Sequence, residues 1–162
     1  MNIDKEVVYL DTSVPSAYYD KRVSWRMEYT QEWWKNEIHK FDIYISPIVI
    51  AEINNTRNKE IRSALLDIVK DFKQFQFNNE IEIIASGYLN QKIIPKSSAV
   101  DSLHIALASY YKADFLLTWN CSHMAEAHRR RKIKLYNSSI GIYIPEIVTP
   151  MELHGGNQNG DI

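Results

Sequence analysis

The feature that most constrains this chain is a set of short apolar runs that each end in helix-capping residues. Val7-Val8-Tyr9-Leu10 ends in Asp11-Thr12-Ser13, Phe41 to Ile45 ends in Ser46-Pro47, and Phe115-Leu116-Leu117-Thr118 leads to Asn120. Runs this short, rich in β-branched and apolar residues, predict buried strands, and the residues behind them are those that open helices. Ser46 followed by Pro47 fits an N-cap with proline at the first helical position. Strands alternating with helices predict an α/β domain with a central, mostly parallel sheet. In such sheets a site lies beyond the carboxyl ends of the strands.

Between these units the helical pattern is clear. Ser24 to Lys40 carries Trp25, Tyr29 and Trp33 at helical spacing; Trp33 and Trp34 could stack on bases but are expected to be core or dimer interface. Ile48 to Asn54 follows Pro47. Lys59 to Phe72 is amphipathic, with Ile61, Leu65, Ile68 and Phe72 on one face. Glu80 to Leu89 is another helix, and Ser97 or Ser98 caps one that runs to about Tyr111. Asn120 is expected to start a helix reaching Ser139, closed by Gly141. Ile147-Val148-Thr149 is the last strand. The expected organisation is one domain over residues 1–153 and a disordered, glycine-rich polar tail over 154–162.

Composition narrows the function. The 162 residues suit one domain, and 45% hydrophobic residues can build a core. With 19 basic and 20 acidic residues the net charge is -1, so bulk charge cannot drive nucleic-acid binding. Such contact needs a local patch, or metal ions that bring positive charge. The lone Cys121 excludes an internal disulfide and a multi-cysteine zinc site, and suits a reducing, cytoplasmic setting. It is expected to be a small buried residue. The N-terminal residues lack a secretory signal pattern, and no apolar stretch nears the ~20 residues that span a bilayer, so no membrane role is expected.

Four polar positions are candidates for chemistry. Asp11 follows a strand directly, where a carboxylate can cap a helix, serve a site, or do both. Glu52 stands in Ile48-Val49-Ile50-Ala51-Glu52-Ile53, so it lies on a narrow wet face or is buried and paired. Asp101 follows Ser98 by three residues, a capping-box spacing. Asn120 is an ordinary N-cap. Parallel strands would bring all four to one rim. Three carboxylates there would repel one another, and a bound Mg²⁺ or Mn²⁺, which prefers hard oxygen ligands, removes that conflict.

At these residues the chain resembles PIN-domain proteins, the fold used by VapC-type toxins. The matching pieces are Val8 to Ser13, Ala51-Glu52-Ile53, Val100 to Ala108, Asp114 to Asn120 and Ile147 to Leu153. They occur in the family's order and span nearly the whole chain. The resemblance implies a Rossmann-like three-layer α/β/α domain, Mg²⁺ or Mn²⁺ as cofactor, and metal-dependent endoribonuclease activity on RNA. It also implies a homodimer and, for toxins of type II toxin-antitoxin pairs, a small antitoxin partner. Asp11, Glu52 and Asp101 carry over as metal-binding catalytic acids. Asn120 stands where many members have aspartate; it ligates a cation more weakly and cannot act as a base. His123 could compensate.

Thr12, Ser13, Thr118, His123, Arg129 and Arg130 are candidate substrate-binding residues, the two arginines belonging to the basic run Arg129 to Lys132 with Lys134. His104 shares a helix side with Asp101 and is expected to pack beneath the site. The alternative function is a catalytically weak or inactive PIN-like module that binds RNA or protein, with Asn120 as its mark. A phosphatase using Asp11 as nucleophile is disfavoured, because position 13, where that class has a second aspartate, is Ser13.

Overall fold

Each predicted apolar run becomes a strand whose side chains alternate between two cores. The computed structural model describes residues 5–122 and 124–154. Five strands, β1 (Val7–Leu10), β2 (Asp42–Ile45), β3 (Lys73–Gln74), β4 (Phe115–Leu117) and β5 (Glu146–Val148), form one sheet in the order β3-β2-β1-β4-β5. All four pairings are parallel. Tyr9, Tyr44, Leu116 and Ile147 enter one core, whereas Val8, Leu10, Ile43, Ile45 and Leu117 enter the other. Both faces must therefore be covered, which is what an all-parallel sheet requires.

Helices α1 (Ser13–Tyr18), α2 (Ser24–Asn36), α3 (Pro47–Asn54) and α4 (Lys59–Val69) bury Val14, Trp33, Val49, Ile53 and Leu65 on one face. Helices α5 (Asn79–Asn90), α6 (Ala99–Tyr110) and α7 (Ala127–Ser139) bury Ile81, Tyr88, Ile105 and Ile133 on the other. The result is the expected three-layer α/β/α domain. The chain leaves β1 toward β2 and β3, then returns to lay β4 on the opposite side of β1. A crevice opens at such a reversal, beyond the strands' carboxyl ends.

Several sequence expectations need correction. Asn120 does not begin a helix. Instead the backbone N–H groups of Met124 and Ala125 donate to the Asn120 carbonyl in a turn. Helix α7 starts at Ala127, capped by the Glu126 carboxylate, which accepts from the N–H groups of His128 (2.8 Å) and Arg129 (3.0 Å). Ser46 occupies the N-cap of α3 but makes no side-chain cap bond. Cys121 lies in the turn and is exposed rather than buried. The helix predicted to Lys40 stops at Asn36 and continues as a 3-10 turn over Ile38–Lys40. Strand β3 has no apolar signature and was not expected. Gly141, at φ +70°, closes α7 as anticipated. The tail predicted for 154–162 lies outside the described residues from position 155 on. Among the described residues no helix is long and apolar enough to cross a membrane.

Candidate active site at the sheet reversal

Asp11 occupies the crevice between β1 and β4. Its backbone N–H donates to the Leu117 carbonyl at 3.2 Å, which extends the β1–β4 ladder by one step and fixes the side chain over the rim. The residue is only 3% exposed. Oδ1 accepts from the Ser13 N–H at 3.1 Å and from the Ser13 hydroxyl; Oδ2 accepts from the Thr118 hydroxyl at 2.7 Å. The two hydroxyls are held in turn: Ser13 Oγ accepts from the Trp119 N–H (2.8 Å), and Thr118 Oγ1 from the Asn120 N–H (2.9 Å). Ser13 and Thr118, counted from the sequence as substrate-binding groups, thus have their hydroxyls spent on Asp11.

Burial raises the Asp11 carboxyl above the ordinary carboxylate range. His104 and the hydroxyls of Ser13 and Thr118 pull it down, and the nearby charge of Asp101 pushes it further up. Three hydrogen bonds therefore do not fully offset the loss of water. A buried carboxylate in that condition stands to gain from a cation.

Asp101 lies in the first turn of α6, where Asn120 Nδ2 donates to its Oδ2 at 3.0 Å. Asn120 thus braces an acid rather than adding one. Glu52, on α3, has a different neighbourhood. Thr12 Oγ1 donates to its Oε1 at 2.6 Å, and His104 Nε2 lies 2.9 Å from the same oxygen. Burial works to raise the Glu52 carboxyl, but the hydrogen bonds from His104 and Thr12 outweigh it and hold the group below its usual value. His104 is 2% exposed, packed beneath the site as expected.

The sequence-predicted acids share one rim and its neighbours: Asn120 braces Asp101, Thr12 and His104 hold Glu52, and His104 also acts on Asp11. Among the described residues no three His, Cys, Asp or Glu side chains are arranged to hold a metal ion between them. The donor set still fits a hard cation, because Mg²⁺ is commonly held by one or two carboxylates with water completing the shell. Asp11 and Asp101 are near enough for the charge of Asp101 to act on the Asp11 carboxyl. His123 lies outside the described residues.

Over residues 8–120 the sequence matches the family model described as PIN domain. The chain belongs to the PIN domain family. No curated protein matches the sequence. Among solved structures, this PIN domain is similar to FitAcB from Neisseria gonorrhoeae (16% identity, TM-score 0.57, covering 90% of this chain and 99% of that one). It is also similar to VapC20 from Mycobacterium tuberculosis, described as a Sarcin-Ricin loop cleaving toxin (15%, 0.56, 71% and 91%). A third is VapBC2 from Rickettsia felis, solved bound to a DNA fragment from their promoter (19%, 0.54, 88% and 98%). At these identities the likeness is one of fold.

The basic run of this PIN domain is divided. Arg129 donates to the Ile93 carbonyl. Arg130 Nη1 donates to the Ile147 carbonyl at 3.0 Å and pairs with Glu152 at 3.2 Å. These two side chains tie α7 to its neighbours, whereas Arg131, Lys132 and Lys134 face solvent. Trp33 is core, and its Nε1 donates to the Leu153 carbonyl at 2.9 Å. Trp25 is 51% exposed beside the site: its ring stands edge-on to Trp119 at 5.7 Å. Sequence reasoning missed Tyr9 and Ser46 as polar partners of the site. The signal available was a tyrosine hydroxyl in a strand predicted to be buried, which must find a partner.

Proposed function

We propose that this PIN domain is a metal-dependent endoribonuclease that hydrolyses RNA phosphodiester bonds. The observation that carries the reading is Asp11, a buried carboxylate held by Ser13 and Thr118 at the sheet reversal of a PIN fold, near enough to Asp101 for that acid's charge to act on it. PIN domains are generally nucleases. Asp11 and Asp101 would hold Mg²⁺ or Mn²⁺, with Glu52 as the third acid. When bound, the cation would supply Lewis acidity toward a phosphodiester oxygen and water. The chain's residues do the rest. Ser13 and Thr118 fix the Asp11 oxygens, and Asn120 fixes Asp101. Glu52, held below the ordinary carboxylate range, keeps its charge at neutral pH and suits the orienting of water rather than storage of a proton. The named partners fit this reading: RNA as substrate, a second copy of the chain, and a small antitoxin. The toxin role is supported by likeness to a VapBC assembly and to FitAcB.

The test is cleavage of single-stranded RNA by the purified protein. Mn²⁺ or Mg²⁺ should support cleavage, excess chelator should stop it, and fresh metal should restore it. Cleavage that persists undiminished in chelator contradicts the reading.

A second reading, a weak or inactive binding module, is favoured by Asn120, whose neutral amide takes the place of a charge against Asp101. An Asn120→Asp exchange decides between the two. It would set two carboxylate oxygens near 3.0 Å, where a donor and acceptor now meet. Like charges so close repel. The variant should melt lower than the parent without metal, bind Mn²⁺ more tightly, and cleave faster. Unchanged melting and unchanged Mn²⁺ affinity would show that position 120 does not face the cation.

A further inference from the structure

A chain of buried polar groups runs behind Glu52. The Tyr9 hydroxyl lies 2.8 Å from Ser46 Oγ and 2.7 Å from His104 Nδ1, and His104 Nε2 lies 2.9 Å from Glu52 Oε1. Tyr9, Ser46 and His104 are each 2% exposed or less. They come from β1, the turn after β2, and α6, separated by 37 and 95 residues in sequence. Nothing local requires this assembly. Ser46 even forgoes the cap bond open to it at the start of α3.

The chemistry of the acceptor sets the order of the bonds. An ionised carboxylate has only lone pairs, so His104 Nε2 carries the proton and donates to Glu52. The ring can then turn only if the Nδ1 contact with Tyr9 breaks, and Tyr9 is itself held by Ser46. Thr12 donates to the same Glu52 oxygen from the opposite direction in sequence, at 2.6 Å. Both bonds fall on Oε1, and none from the described residues falls on Oε2. The carboxylate therefore has one oxygen clamped and the other left over, on a side chain that is 37% exposed.

We propose that Tyr9, Ser46 and His104 are positioning residues that lock the Glu52 carboxylate through Oε1 and reserve Oε2 for the nuclease site, an inference that rests on the nuclease reading above. A core without a site would not need it. A tyrosine, a serine and a histidine cost desolvation that three apolar residues would avoid, and a half-satisfied set would cost more. Outer partners of this kind typically change metal affinity or activity by about 10- to 100-fold when removed.

The experiment compares the parent with His104→Ala, His104→Gln and Tyr9→Phe. Glutamine retains an amide N–H where the imidazole Nε2–H stood. His104→Ala should lower kcat on single-stranded RNA by roughly 10- to 100-fold with little change in KM, and weaken Mn²⁺ binding by a similar factor. His104→Gln should recover most of both, and Tyr9→Phe should fall between. Alanine behaving as the parent would overturn the proposal. So would glutamine as impaired as alanine at an unchanged melting temperature. A parent that neither binds Mn²⁺ nor cleaves would sink the nuclease reading instead. The positioning chain would then be judged by nitrogen NMR of the His104 ring. A slowly exchanging Nε2 proton that shifts in Glu52→Gln supports it, and an unprotonated Nε2 overturns it.

Discussion

An Asp11→Asn variant is expected to melt at a higher temperature than the parent in metal-free neutral buffer, yet to lose cleavage by at least about 100-fold, the scale of deleting one preorganised electrostatic group. Asparagine keeps Oδ1 as acceptor for Ser13, and the Thr118 hydroxyl can turn to accept from the new amide. What disappears is a buried charge. The direction in pH follows from the raised Asp11 carboxyl, caused first by burial. A group that holds its proton more tightly folded than unfolded gives its full stabilisation below the unfolded value. That stabilisation is lost as pH rises toward the folded value, and stays lost above it. The advantage of Asp11→Asn should therefore grow with pH from the ordinary carboxylate range upward and then level off. Thermal melts across that range check it. A variant less stable than the parent at neutral pH would show that the three hydrogen bonds outweigh the desolvation.

The second large effect is on the scaffold. Trp33→Ala should destabilise the fold by about 3–5 kcal/mol, the usual cost of removing a buried large aromatic. For a chain of this size that lowers the melting temperature by roughly 6–20 °C. Trp33 is 2% exposed, stacks on Phe41 with ring centroids 6.2 Å apart, and ties α2 to the C-terminal segment through the Leu153 carbonyl. Its loss leaves a cavity and an unsatisfied carbonyl together. Calorimetric melting measures it; a change under about 1 kcal/mol would mean that the segment repacks over the gap.

The parts of the fold that were legible in the sequence are those written locally. Val7 to Leu10 carries its strand in its own side chains, and Asp11 directly behind it marks the rim. The two-residue strand β3 could not be read, because Lys73 and Gln74 are exposed and pair only since the edge of β2 offers partners; the Phe75 N–H then donates to the Ile45 carbonyl at 2.9 Å. Asn120 has the chemistry of an N-cap, and only the tertiary contact with Asp101 shows that its side chain is used elsewhere. Glu126, with no apolar run directly behind it, proved to be the cap of α7. In the site, Asp11, Asp101 and Asn120 come together on one rim as their positions after strands and at helix starts suggested. The hold on Glu52 was not legible, because it depends on His104 and Tyr9, which meet only where α6 packs on β1.

The most direct measurement of the central claim is a calorimetric Mn²⁺ titration of the parent and Asp101→Asn. Asparagine retains the size of the side chain and can still meet Asn120, so the two proteins should melt alike without metal. The parent is expected to bind Mn²⁺ and the variant to bind it at least about 10-fold more weakly, with RNA cleavage falling in step. Equal Mn²⁺ affinity in the two proteins, or no binding by the parent, would contradict an acidic metal site at the sheet reversal.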